Sequence, residues 1–330
     1  MPLKYQQVAR LMHSQSHCNG VTTVLFSPTG GLLASGGLDG RACVWDVATG
    51  KLQYVFCGKS AVLSMAWTSP DDTQFACGMQ DGTIASCMLS DDSIRIAGFW
   101  AHRSPVETLA YNGTQLASGA HKELNIWAQS SGESWTLVAA LDLPPKTAHN
   151  NGADADLSAD GRLLAVSNVL TGFELFAVKN LTELEPMFAL NQDVSTGHAI
   201  PVRFTHGGNA VIGGTSDGRM FIWDIYTRRK QPLSFHSRTC VLALSSRYDV
   251  KTDTFLIVTG VFNHGTPSPV VIWKAQEYYD RRLLGDVLEQ PASRNIVLVC
   301  ITWTITWTAV SLLAILLLLY CVELYCVVYP

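Results

Sequence analysis

The chain has no basic stripe. Its 23 Lys and Arg are outnumbered by 27 Asp and Glu, giving a formal net charge of −4. With acidic residues in excess and no basic stripe, a nucleic-acid-binding surface is not expected. It also lacks any C-x-x-C pair. The nine cysteines, at 18, 43, 57, 77, 87, 240, 300, 321 and 326, are scattered, several at strand positions where Cys behaves as a small hydrophobe. That usage fits a reduced, cytosolic setting for most of the chain. The N-terminus, M-P-L-K-Y-Q-Q-V-A-R, has no apolar core of signal-peptide length. Gly58-Lys59-Ser60 has the ending of a phosphate-binding loop, but Gln53 stands where its first glycine belongs and no helix follows. Gly214-Thr215-Ser216-Asp217-Gly218 fits G-x-S-x-G but lies between two strand patterns, where a nucleophile elbow is not built. No catalytic group, cofactor or metal site is expected.

Short strand patterns separated by turn signals are what the chain has instead. Between His17 and Asp46, Val21 to Phe26 alternates and is stopped by Ser27-Pro28-Thr29-Gly30. Leu32 to Ser35 is broken by a turn ending in Asp39-Gly40, and Arg41 to Trp45 follows. Aspartate-glycine between apolar runs is a hairpin signal because the turn needs positive φ. A unit this small cannot bury its own face, so it should recur. It does: corresponding strand ends fall at residues 45, 87, 127, 176, 223 and 273. Histidines 17, 102, 149, 198 and 236 recur near the entries of these units.

The stretch resembles the WD40-repeat family, whose pattern is Gly-His, F-S-P-D-G, L-A-S-G, an aspartate turn and Trp-Asp. Here these read Ser16-His17, Phe26-Ser27-Pro28-Thr29-Gly30, Leu33-Ala34-Ser35-Gly36, Asp39-Gly40 and Trp45-Asp46. The resemblance implies an all-β, WD40-type β-propeller over residues 1–274 with six recognisable blades, or seven if one is degenerate. Residues 4–12 would be the strand that closes the ring. It also implies that His17, Ser35, Asp39 and Trp45 form a structural hydrogen-bond network rather than a catalytic one. Asp81, His102, Trp127, Asp217, Trp223, Asp224 and Trp273 are the matching repeat residues elsewhere. Blade one carries the one complete set, since Cys87, Leu170, Gly213 and Pro267 replace members in other blades. Blades two and four should then be the least rigid.

The C-terminus reads differently. Residues 275–295 form a linker, and 296–320 carry no charge over a length that would span a bilayer as a helix. Thr302, Thr304, Thr306 and Thr308 alternate within it, so a strand is the other reading. Arg281, Arg282 and Arg294 precede the segment and nothing basic follows, which would keep the propeller cytosolic and place the tail 321–330 across the membrane. This arrangement resembles a tail-anchored protein. Cys321 and Cys326 are candidate lipidation sites, though ordinary apolar residues explain them better. The expectation is a non-catalytic, membrane-anchored scaffold for other proteins, touching lipid through residues 296–320. Two other readings are a luminal or extracellular receptor, which sequons at Asn112 and Asn180 would mark, and a soluble scaffold with an incidental hydrophobic tail.

Overall fold

A computed structural model describes residues 3–277, apart from 92, 122, 130–133, 143–151, 169–171, 181–182, 192–200, 215–218, 234–239, 251 and 264–266. Short β-branched and aromatic runs, cut by Gly, Pro and Asp turns, become strands joined into six four-stranded antiparallel sheets. The chain opens with β1 (Leu3–Leu11) and then builds blade one from β2 (Val21–Phe26), β3 (Leu32–Gly37), β4 (Arg41–Asp46) and β5 (Leu52–Cys57). Blade two is β6 (Val62–Trp67), β7 (Gln74–Met79), β8 (Thr83–Ser90) and β9 (Ser93–Trp100). Blade three is β10 (Thr108–Tyr111), β11 (Gln115–Ala120), β12 (Glu123–Gln129) and β13 (Trp135–Asp142). Blade four is β14 (Gly152–Leu157), β15 (Leu163–Asn168), β16 (Gly172–Asn180) and β17 (Glu183–Asn191).

Blade five comprises β18 (Val202–Thr205), β19 (Ala210–Gly214), β20 (Met220–Asp224) and β21 (Lys230–Leu233), with a single 3-10 turn at His206–Gly208. Blade six has only three strands of its own, β22 (Cys240–Asp249), β23 (Thr254–Phe262) and β24 (Val270–Glu277). Its fourth is β1, which pairs antiparallel with β24 from Leu3↔Glu277 to Leu11↔Val270. The chain therefore ties its own beginning to its last blade, and the described part is an all-β, six-bladed propeller. The last strand runs to Glu277, three residues beyond the boundary drawn from the sequence.

Two turn glycines show how neighbouring blades fit. Gly40 and Gly82 both have positive φ, at 74° and 87°. A Cβ on Gly82 would sit 2.1 Å from the His102 carbonyl oxygen, and one on Gly40 would sit 2.8 Å from that of Ser60. Each Asp-Gly turn thus needs glycine twice, for its conformation and for the passage of the chain entering the next blade.

Core residues lie between blades rather than within them. Trp45 and Leu33 pack with Val258 and Ile272 between blades six and one. Phe75, Cys77 and Cys87 pack with Ala34 and Val44 between blades one and two. Leu116 and Trp127 meet Ala76 and Ile84 between two and three. Phe173 and Leu175 meet Val211 and Trp223 between four and five, and Ile212 and Met220 meet Ile257 and Trp273 between five and six. Blade two, despite losing its tryptophan, has every residue of β7 buried.

Candidate functional site

The first polar cluster sits at the turn end of blade one. Trp45 Nε1 donates to Ser35 Oγ at 2.9 Å, and Ser35 Oγ meets His17 Nε2 at 2.8 Å. His17 Nδ1 lies 3.3 Å from Asp39 Oδ1. Because a carboxylate can only accept, Nδ1 carries a hydrogen; with a neutral ring the serine hydroxyl donates to Nε2. Burial alone would raise the Asp39 carboxyl, but the bonds from His17 and the Cys18 and Arg41 amides hold it at about 2. All four side chains are buried or nearly so. The arrangement orients a turn and satisfies a buried indole.

Blade three builds the same network, which the sequence reading missed. His102 Nε2 meets Ser118 Oγ at 2.7 Å, Trp127 Nε1 donates to that oxygen at 2.8 Å, and Glu123 Oε2 lies 2.9 Å from His102 Nδ1. The residue at the aspartate's place, His121, is exposed with φ 52°, so the carboxylate comes from two residues later on a longer side chain. Set against the expectation of a single complete set, this is a second carboxylate-closed one.

The remaining blades depart for identifiable reasons. In blade six, Thr259 Oγ1 accepts from Trp273 Nε1 at 3.3 Å. In blade five, a Cβ on Gly213 would fall 2.2 Å from the Phe173 ring, which occupies the space of a serine. Phe173 instead meets Trp223 edge to face at 5.3 Å. In blade two, Cys77 and Cys87 are both fully buried at the serine and tryptophan positions. Asp81 holds its own turn by accepting from the Thr83 amide at 3.1 Å, and Asp224 accepts from the Thr227 amide at 2.7 Å. Asp217 and the histidines at 149, 198, 236 and 264 lie outside the described residues. His13 and His17 are four apart, but His17 is committed to Ser35 and Asp39 while His13 Nδ1 accepts from the Gln15 amide at 3.1 Å. Asn112, the first sequon residue, accepts from the Thr114 and Gln115 amides at 2.8 and 2.7 Å.

The second cluster lies at one mouth of the central channel, where β2, β14, β18 and β22 end. A cavity of about 600 Å³ is lined by Phe26, Asp156, Ser158, His206, Tyr248 and Phe255, among others. Burial pushes the Asp156 carboxyl up to about 6, although Arg203 and the Phe204 amide pull the other way. Burial also lowers His206 to about 4, so its ring is neutral near pH 7. His206 Nε2 is bonded to the Tyr5 hydroxyl at 2.5 Å, which couples the mouth to the closing strand. Arg247 is held in place, donating to the Ser27 and Pro28 carbonyls at 2.7 and 2.8 Å. The mouth therefore combines aromatic walls with buried donors and acceptors, and no nucleophile–base pair is arranged in it.

Six blades around a channel define a β-propeller. Residues 9–46 and 50–96 match the family model described as WD domain, G-beta repeat. The described part is thus a β-propeller whose first two blades match the WD40 repeat. Among curated proteins, Pre-mRNA-processing factor 17 of Homo sapiens is 22% identical over 238 residues, covering 69% of this chain and 39% of that protein. Transducin beta-like protein 3 of Rattus norvegicus is 33% identical over 140 residues, covering 41% of this chain and 17% of that protein. The chain thus spans well under half the length of these relatives. The solved WD40 repeats of RRP9 superpose with a TM-score of 0.64 at 16% identity, covering 83% of this chain and 100% of that one, a likeness of fold.

These comparisons correct the expected location, a single-pass membrane protein with a cytosolic propeller. The matched relatives include a pre-mRNA-processing factor, and among the described residues no helix is long and apolar enough to cross a membrane. The expected linker past Glu277, the segment 296–320, and the tail 321–330 with Cys321 and Cys326 lie outside the described residues.

Proposed function

We propose that the chain is a non-catalytic protein-interaction scaffold whose partner engages the mouth lined by Phe26, Asp156, His206, Tyr248 and Phe255. The observation that carries this reading is the chemistry of that cavity. Its walls come from four blades, and His206 and Arg247 are held by bonds to the ring, which limits the entropy lost when a peptide side chain enters. The networks at His17 and His102 support structure in this reading and do no chemistry. The name of Pre-mRNA-processing factor 17 supports placing the partner in an RNA-processing assembly. With a formal net charge of −4, the chain would meet RNA through protein partners rather than directly.

Affinity purification from a native extract tests the reading. Wild-type chain should retain a discrete partner set that Phe255→Ser and Tyr248→Ser lose, while Tyr226→Ser, on the exposed rim of blade five, keeps it. A partner set indifferent to the mouth variants, or substrate turnover by the purified chain, would overturn it.

A further inference from the structure

The boundary between blades three and four differs from the other five. Each of those has a buried apolar cluster, and none of the clusters among the described residues spans blades three and four. The difference can be followed position by position. In blade one, Ala34, Ala42 and Val44 face blade two and are buried. Register places Ala117, Leu124 and Ile126 at the same positions in blade three, and all three are only half-buried.

The opposing wall behaves alike. Leu33, Ser35 and Trp45 of blade one are buried against blade six, whereas their counterparts in blade four, Leu164, Val166 and Phe176, are half-buried. At the inner end, Ala110 of β10 and Ala155 and Leu157 of β14 are exposed. Polar ties cross each of the other five boundaries: Thr22 Oγ1 to the Val62 carbonyl, Ser64 Oγ to that of Val106, the Phe204 amide to Asp156, Ser246 Oγ to the Phe204 carbonyl, and Arg247 to the Ser27 carbonyl. The first strands of neighbouring blades lie side by side around the ring, but β10 and β14 lack that close approach. The result is an apolar seam between two sheet faces.

We propose that the chain covers this seam with its own segment 296–320. Leaving two sheet faces half-wet is costly, at about 25 cal/mol per Å² of apolar surface, so a cover is favoured. The chain carries a cover of fitting chemistry: Ile301, Trp303, Ile305 and Trp307 alternate with threonines and give one bulky apolar face against walls of Ala117, Ile126, Leu164 and Val166. Reach is sufficient. The residues between Glu277 and Ile296 span roughly 60 Å when extended. A propeller of this size has a radius of gyration of only about 19 Å. This assignment gives the uncharged segment a role that needs no bilayer.

Hydrogen exchange on the purified full chain, without detergent or lipid, tests it with reciprocal variants. Ile301→Asp/Ile305→Asp changes no residue of the six blades and should speed exchange of peptides 115–128 and 163–178 by about tenfold or more, leaving 33–45 unchanged. Ala117→Asp should speed exchange of 296–320 in return. Equal exchange in wild type and variants overturns the proposal. So does protection that grows with protein concentration, which would mean a second copy in the seam, or protection seen only with added vesicles, which would mean a membrane segment. Loss of the mouth partner with the seam intact would leave this inference standing and sink only the reading of the mouth.

Discussion

Ser35→Ala is the sharpest perturbation of blade one. The hydroxyl is fully buried and serves as the hub between Trp45 Nε1 at 2.9 Å and His17 Nε2 at 2.8 Å. Alanine leaves nearly the same packing but strands both nitrogens in a site closed to water. An unsatisfied buried polar group costs about 1–3 kcal/mol, so the pair should cost about 2–4 kcal/mol after partial relaxation. With urea slopes of about 1–3 kcal/mol per molar, the midpoint should fall by roughly 1 M or more. Ser118→Ala should cost a similar amount, because Trp127 and His102 hang on Ser118 in the same geometry. Urea unfolding followed by tryptophan fluorescence, with the exposed Thr136→Ala as reference, measures all three. If both serine variants fall within about 0.5 kcal/mol of the reference, a point where surface substitutions usually lie, the networks do not hold these blades and the reasoning fails.

Gly82→Ala should destabilise by more than about 1 kcal/mol, since its φ is 87° and its Cβ would meet the His102 carbonyl at 2.1 Å; the same denaturation assay checks it. Asp156 is raised by burial to about 6, so the unfolded chain loses this proton first as pH rises and stability falls between about pH 4 and 6. Asp156→Asn should match wild type at pH 4 and exceed its melting temperature above pH 6.5. Asp39 works with the opposite sign: held at about 2, its contribution is present above about pH 4 and is lost as pH falls through 2, so Asp39→Asn should flatten the acid limb of the stability curve.

How much of this was legible depends on whether the cause is local. The strands of blades one and two follow from runs that end at Pro28, Gly40 and Gly82, because turn chemistry is written in adjacent residues. Pairing of β1 with β24 joins the two ends of the described chain, so no local window displays it; the expectation for residues 4–12 came from the resemblance to the repeat family. Glu123 is hidden from repeat spacing because its longer side chain lets the acid reach His102 from two residues beyond the aspartate's place. The absence of a serine at Gly213 could not be read as an exchange, since the group that fills its place, Phe173, comes from another blade. The mouth gathers Phe26, Asp156, His206 and Phe255 from four blades, so no window of sequence displays it. The seam is invisible for a related reason: Ala117, Leu124 and Ile126 look like good core residues, and only the packing of blade four shows them half-covered.

The scaffold reading turns on whether a protein engages the mouth. A photo-crosslinking residue placed at Ser158, in the mouth, and separately at Lys51, on the exposed outer side of blade one, addresses this in native extract. Irradiation should give a discrete protein adduct from position 158 and none from position 51. No adduct at 158, or the same adducts from both positions, would contradict it.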